Sequence, residues 1–404
     1  METSNTVSLT SFTAAGWISG LDSVTANHFQ RFYGLAQETV RAGVSAGRAK
    51  SADTVWNQWE SYCVGMGIDP FLETFTDKVP ILQVFAQRVR IGELASNGNP
   101  IRARSTEDYV RHVAQTFQSV GAPDPRLNSN NNIDFRLQRM IAAWKKQDPP
   151  PNRVKPIPMQ VLRQLATVAQ QSHLEYTRAT TDMIIIAFFF LLRPGEYVDT
   201  NRNATESDPF RLADTQLFSG QRRIDQVTAS DADLLDATLA ALTFTTQKNG
   251  VRGEVISLGR SGDPFICPVL AIARRVIYLR NNNAPADTPI ARLFPPTDGS
   301  AGGPTKITSA HLTKELRAAV NFIGPSLGFV EADVSARCLR AAGANALLLA
   351  DVDGDIIRLI GRWRSDEMLR YLHTQAAPLM ADYASRMLKA ADYNMIPNQS
   401  VPMA

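Results

Sequence analysis

Cysteine is scarce in this chain: Cys63, Cys267 and Cys338 are the only three in 404 residues. An odd, widely spaced set makes neither a disulfide framework nor a C-x-x-C metal knuckle, and it fits a reducing intracellular compartment, the nucleus in a eukaryote and otherwise the cytoplasm. Long apolar runs are lacking too. The longest, Met183 to Leu192, is ten residues, which is too short to cross a bilayer and suits a buried core helix. The start Met-Glu-Thr-Ser-Asn has no basic n-region and no apolar h-region, so no secretory signal is expected. The Asn-x-Ser/Thr sequons at Asn203 and Asn398 are then chance matches. There is no H-E-x-x-H, no Cys/His cluster and no G-x-x-x-x-G-K-[ST] loop. Metal hydrolysis and ATP chemistry are therefore not expected, and no cofactor or small-molecule substrate is implied. Asp351, Asp353 and Asp355 are spaced like calcium ligands but lack the closing glutamate. Asp353 or Asp355 is expected instead to cap a helix starting near Ile356.

What is present is an ordinary soluble composition, 44% hydrophobic with a net charge of only +3. The charge is unevenly placed: residues 31–156 carry 17 Lys+Arg against 12 Asp+Glu, whereas 157–404 balance at 25 each. A basic surplus in one half is compatible with nucleic acid, and equally with a solvated helical surface.

Periodicity gives the organisation. Residues 1–30, rich in Ser, Thr, Ala and Gly, read as a mobile arm or one weak helix. From Phe29 to Met66 the apolar spacing is helical, with Trp56 and Trp59 on one face. Helices follow from Val79 with Pro80 near its start, from Ser105 with an acidic first turn, and over 133–146. Residues 31–147 thus form a small helical domain. Asp148-Pro-Pro-Pro-Asn-Arg-Val-Lys-Pro-Ile reads as a semi-rigid Pro-rich linker over 148–157. A second domain spans 158–391, with helices at 159–171, 174–192, 267–281, 308–323, 335–350, 354–362, 366–373 and 379–391. A short antiparallel element interrupts them: residues 241–259 alternate on both sides of Asn249-Gly250, a two-residue hairpin signal that puts Lys248 at the tip. Residues 392–404 read as an unstructured tail. The fold class is mainly α with a small antiparallel β-sheet.

The chemistry concentrates in Ser335-Ala-Arg-Cys-Leu-Arg-Ala-Ala-Gly-Ala-Asn345. Ser335 reads as the helix N-cap, which sets Arg337 and Arg340 on one face of the first turns. Cations at the positive end of a helix dipole are unfavourable and repel each other, so an anion such as phosphate is the natural third party. Upstream, the apolar run 183–192 delivers Arg193 to its end, with Glu196 three residues on; downstream come Gly361-Arg362-Trp363 and the lone Tyr371. Taken singly, each has a plainer reading. Arg193 pairs with Glu196, Lys248 is a solvated turn residue, Arg337 and Arg340 pair with Asp333, Glu331 or Asp366, and Tyr371 sits in a core.

Taken in order, Leu-Leu-Arg193-Pro-Gly-Glu196, Lys248 on its hairpin, Arg337-Cys-Leu-Arg340-Ala-Ala-Gly-Ala, Gly361-Arg362-Trp363 and Tyr371 resemble the signature of tyrosine recombinases, the phage-integrase-like DNA strand-exchange enzymes. The Gly-Arg-Trp version and the Lys-Asn-Gly-Val-Arg-Gly-Glu hairpin look most like those of eukaryotic mobile elements, the DIRS-like and crypton-like types. The resemblance implies that 31–147 is a core-binding domain and that both domains close as a C-shaped clamp on double-stranded DNA. It also implies binding that weakens with salt. By position, Arg193 and Arg340 would hold the scissile phosphate, Lys248 would protonate the leaving 5′-oxygen, and Tyr371 would attack as nucleophile to leave a 3′-phosphotyrosyl intermediate. Glu196 would orient a neighbouring basic side chain. The helix over 379–391 would dock on a neighbouring protomer, which implies a homo-tetramer on paired sites.

Two positions depart from the family pattern. Arg337 stands where histidine or lysine is usual, and Arg362 occupies the usual His/Trp site, with Trp363 one place later and able to buttress if the turn shifts by a residue. Arginine is no base at neutral pH, so at both positions transition-state stabilisation is expected and proton shuttling is not. The alternatives are a domesticated, catalytically weak DNA-binding protein and a type IB topoisomerase-like relaxing enzyme.

Overall fold

A computed structural model describes residues 20–44, 46–95, 97–150, 155–198, 208–245, 252–295 and 305–364. The expected tip at Lys248, the nucleophile Tyr371, the helices over 366–373 and 379–391 and the tail all lie outside these. The chain divides into two compact units, Met1–Pro151 and Asn152–Ala404.

The first unit is helical: α1 (Ser23–Ala42), α2 (Ala46–Gly65), α3 (Val79–Arg90), α4 (Ala103–Ser119) and α5 (Phe135–Gln147). Trp59 is fully buried, edge-on to Phe85 with ring centroids 5.0 Å apart, and its indole N–H donates to the Pro70 carbonyl at 2.8 Å. Trp56 packs on Phe71 and Phe117. The tryptophan pair thus forms the centre of a core completed by Leu82, Val89, Val113 and Leu137.

Three expectations need correcting here. The 29–66 helix is two helices, and the first starts at Ser23, inside the expected arm, because the Asp22 carboxylate accepts the N–H groups of Val24 and Thr25. Helix α4 begins two residues early, at Ala103, so Glu107 and Asp108 fall in its second turn and not its first. Asp148, expected in the linker, closes the first unit by accepting the Ala103 N–H at 2.7 Å and pairing with Arg90 at 2.5 Å.

The second unit holds α6 (Met159–Gln171), α7 (Glu175–Phe189), α8 (Pro194–Tyr197), α9 (Asp231–Leu235), α10 (Pro268–Asn281), α11 (Ser309–Ile323), α12 (Cys338–Leu349) and α13 (Gly354–Gly361). A four-stranded antiparallel sheet of β1 (Thr215–Ser219), β2 (Arg222–Arg223), β3 (Leu239–Phe244) and β4 (Glu254–Gly259) runs in the order β2-β1-β3-β4. Helix α7 is buried from Ala179 to Phe188, as an all-round apolar helix must be, and it packs against α6, α10 and α12. Its one buried acid, Asp182, is met by Arg274 of α10 at 2.9 Å. Helix α12 crosses α7 closely because Gly343 has no side chain. A Cβ there would lie 2.2 Å from the Phe188 carbonyl oxygen.

Strands β3 and β4 pair antiparallel, as the alternation over 241–259 predicts. Phe244 pairs with Glu254, which leaves nine residues between the strands. The expected turn at Asn249-Gly250 lies outside the described residues.

All three cysteines are buried. Burial pushes the Cys63 thiol up to about 12 and raises that of Cys338. Both stay protonated at pH 8, where thiolate chemistry needs the anion. An aromatic disulfide reagent at pH 8 is therefore expected to leave the native protein essentially unmodified and to titrate three thiols in denaturant. Prompt reaction of one thiol in the native state contradicts this packing.

Candidate active site

The site is built on two helix ends. Helix α7 stops at Phe189, and Leu191 then takes a left-handed conformation (φ 50°), which lets the Leu192 N–H reach back to the Ala187 carbonyl at 3.0 Å. Helix α13 ends likewise. Its cap, Arg362, is left-handed (φ 56°, ψ 41°), and the Trp363 N–H bonds to the Arg358 carbonyl at 3.0 Å. Glycine is the usual residue at such an end, and a larger one costs about 1–2 kcal/mol. In return, both turns send side chains and carbonyls into one place.

The C-terminal carbonyls of a helix have no partner in their own helix and carry its negative dipole end. Here arginines fill both needs. Arg340 of α12 donates from Nη1 to the Leu191 carbonyl at 2.5 Å and from Nη2 to the Gly361 carbonyl. Arg362 donates from Nη1 to the carbonyls of Phe190 and Ile360 at 3.3 and 3.0 Å, and from Nη2 to that of Leu191 at 3.4 Å. The Arg340 guanidinium lies 4.2 Å from the centre of the Trp363 ring, and that of Arg362 lies 3.8 Å from the Phe244 ring. Gly361 makes room for this stack, because a Cβ there would fall 1.6 Å from the Trp363 ring.

The carboxylate at the centre is Glu196, 1% exposed. Pro194 at the first position of α8 aims its third residue back at the chain entering the helix. One Glu196 oxygen accepts the Arg193 N–H at 2.8 Å and Arg362 Nη2 at 2.9 Å, while the other accepts Arg193 Nη1 at 2.9 Å. Burial pushes the Arg362 guanidinium down to about 10, against the pull of Glu196 and with the push of Arg193. One carboxylate thus serves Arg193 and Arg362, with the Arg340 cation adjoining, and the cluster carries excess positive charge. A cleft of about 420 Å³ opens beside it, lined in part by Glu254, Arg358, Arg362, Trp363 and Arg364.

The structure therefore brings together Arg193, Glu196, Arg340, Arg362 and Trp363. Their exposure is unequal. Arg340 is 3% and Arg362 4% exposed, whereas the Arg193 side chain is 28% exposed. Arg337 stands apart. It is the N-cap of α12, exposed and without a hydrogen bond or ion pair among the described residues. Ser335 is not that cap, contrary to the expectation from the sequence. Its own N–H meets the Cys338 sulfur at 3.1 Å and its hydroxyl is buried without a partner, because the chain turns once more before the helix begins. Pairing of Arg337 or Arg340 with Asp333 or Glu331 is absent as well, since Lys155 holds Asp333 at 2.8 Å and Asn321 donates to Glu331, while the third expected partner, Asp366, lies outside the described residues. Asp353 caps α13.

Sequence reasoning passed over the residues that fix the approach to α12. The Lys155 N–H donates to the Asp333 carbonyl at 3.0 Å, Arg317 Nε to that of Val334 at 3.3 Å, and the Tyr197 hydroxyl to that of Ala336 at 3.2 Å. The Thr313 hydroxyl accepts the Ala336 N–H at 3.1 Å. Burial raises the Tyr197 phenol, so it donates as a neutral group. Only the position of Tyr197, next to Glu196, was a signal available in the sequence.

Among the described residues no group of His, Cys, Asp or Glu is placed to hold a metal ion, and no helix is long and apolar enough to cross a membrane. No protein-family model matches the chain, and no curated protein does. Several solved structures are similar to it. The Tn1549 transposon integrase in complex with transposon right end DNA is 12% identical, over 78% of this chain and 86% of that one, at a TM-score of 0.42. A lambda integrase dimer bound to a COC′ core site is 11% identical, over 91% and 98%, at 0.43. XerA recombinase is 11% identical, over 83% and 98%, at 0.34. These three solved structures are thus two integrases and a recombinase.

Proposed function

We propose that this protein is a site-specific DNA recombinase that cuts and rejoins strands through a tyrosine–phosphate link. The observation that carries the reading is the convergence of Arg193, Arg340 and Arg362, from three separate segments, on one buried carboxylate and one helix-end carbonyl. Excess cationic charge assembled in a low-dielectric place is an investment that a bound phosphodiester uses well, because its non-bridging oxygens gain charge as the nucleophile attacks. In this mechanism the Tyr371 oxygen forms a bond to phosphorus as the bond to the 5′-oxygen breaks. Lys248 supplies the proton that the leaving oxygen takes up. Attack by another strand's 5′-hydroxyl reverses the step, so no nucleotide triphosphate is consumed. Arg193 and Arg337, the accessible pair, face the phosphate backbone. The working assembly is a tetramer on paired sites, acting on DNA within the cell.

One observation favours a second reading, a DNA-binding protein that no longer cuts. Arg340 is almost wholly enclosed, with a proton on each of two backbone carbonyls. A duplex built from the DNA flanking the gene, nicked so that the cleaved end diffuses away, separates the two. The enzyme accumulates a protein–DNA adduct that survives denaturing gels. DNA retention without adduct selects the binding protein, and failure to retain DNA at low salt rejects both.

A further inference from the structure

We infer that Arg362 is a positioning residue, one that locks Arg193 and Arg340 in place and does not itself touch the phosphate. This deepens the reading just given and rests on it. Four of the five donors of this side chain are taken. A guanidinium offers four protons on its two terminal nitrogens, and four acceptors take them: Phe190, Ile360 and Leu191 carbonyls and the Glu196 carboxylate. The fifth, Nε, is buried without a partner. With the side chain 1% exposed and a Phe244 ring against one side, neither terminal nitrogen has a proton left to meet a ligand.

The acceptors that Arg362 uses are the ones that orient its neighbours. It shares Glu196 with Arg193 and the Leu191 carbonyl with Arg340. Removing it frees the Glu196 carboxylate to draw Arg193 inward and leaves the Leu191 carbonyl to Arg340 alone, so both neighbours lose a fixed direction. A histidine at this position has two donors at most and cannot reach four acceptors. The left-handed turn at 362 belongs to the same device, since it directs residue 362 into the interior and residue 363 onto Arg340.

The test is a double-mutant cycle of Arg362→Met and Glu196→Gln, with Arg362→Lys as the conservative variant. Two readouts are needed: single-turnover adduct formation on the nicked duplex, and thermal unfolding without DNA. A positioning role predicts that Arg362→Met slows adduct formation about 100-fold while DNA retention is unchanged, that Arg362→Lys restores most of the rate, and that the double variant is no slower than Arg362→Met alone. Parallel loss of retention and rate, or effects that multiply, overturns it. The double variant also removes both buried charges, which guards against a variant that merely fails to fold. If the wild-type protein forms no adduct, the recombinase reading fails separately. The unfolding cycle then decides this inference: strong coupling between the two positions supports the lock, and additivity removes it.

Discussion

Replacing Tyr371 by phenylalanine is expected to abolish the covalent protein–DNA adduct, a loss on the order of 10⁴-fold or more, while DNA retention stays at the wild-type level. The substitution deletes one oxygen and keeps the ring, so a change in chemistry is not confounded with a change in packing. A phenol ionises near pH 10, and catalysis at neutral pH requires neighbouring cations to lower the cost of forming the phenolate. Under the proposed function those cations are Arg193, Arg340 and Arg362, which gather on Glu196 and the Leu191 carbonyl. Adduct that persists in the phenylalanine variant would eliminate Tyr371 as nucleophile and direct attention to a different hydroxyl.

The largest effect on stability is expected at Gly343. Alanine places a methyl group 2.2 Å from the Phe188 carbonyl oxygen and 2.4 Å from the Leu191 side chain. Neither neighbour yields easily, because Phe188 belongs to the buried helix α7 and Leu191 holds the left-handed turn beyond it. Helix α12 must move away, at a cost of about 1–3 kcal/mol, seen as a drop of several degrees in the unfolding midpoint. The same shift draws Arg340 from the Leu191 carbonyl, so adduct formation should fail at temperatures where the variant is still folded. A Gly343→Ala protein with unaltered midpoint and cleavage rate would mean that the two helices are not in contact as described.

Much of this arrangement can be read from residue order, and the exceptions have identifiable causes. Helix α6 falls at 159–171 as periodicity predicts, and the apolar run that begins at Met183 leaves the C-terminal half of α7 no polar face, so it is buried. Ser335 misleads because a serine followed by an apolar run also fits a turn that precedes the helix, and the packing of Cys338 decides between them. At the site, the partnership of Arg193 with Glu196 is local and visible at a spacing of three. The enclosure of Arg340 and Arg362 is not, since it depends on carbonyls at 190, 191 and 361 that come together only when α7, α12 and α13 pack.

Those carbonyls have a thermodynamic consequence. A free arginine side chain carries about 2 kcal/mol of rotamer entropy, and Arg340 and Arg362 give theirs up when the helix ends of α7 and α13 receive them. A polyanion arriving at this face then meets a preorganised electrostatic field, whose sources need no conformational search. Under the proposed function, the ordering that remains at association falls on the duplex itself and on the exposed side chain of Arg337.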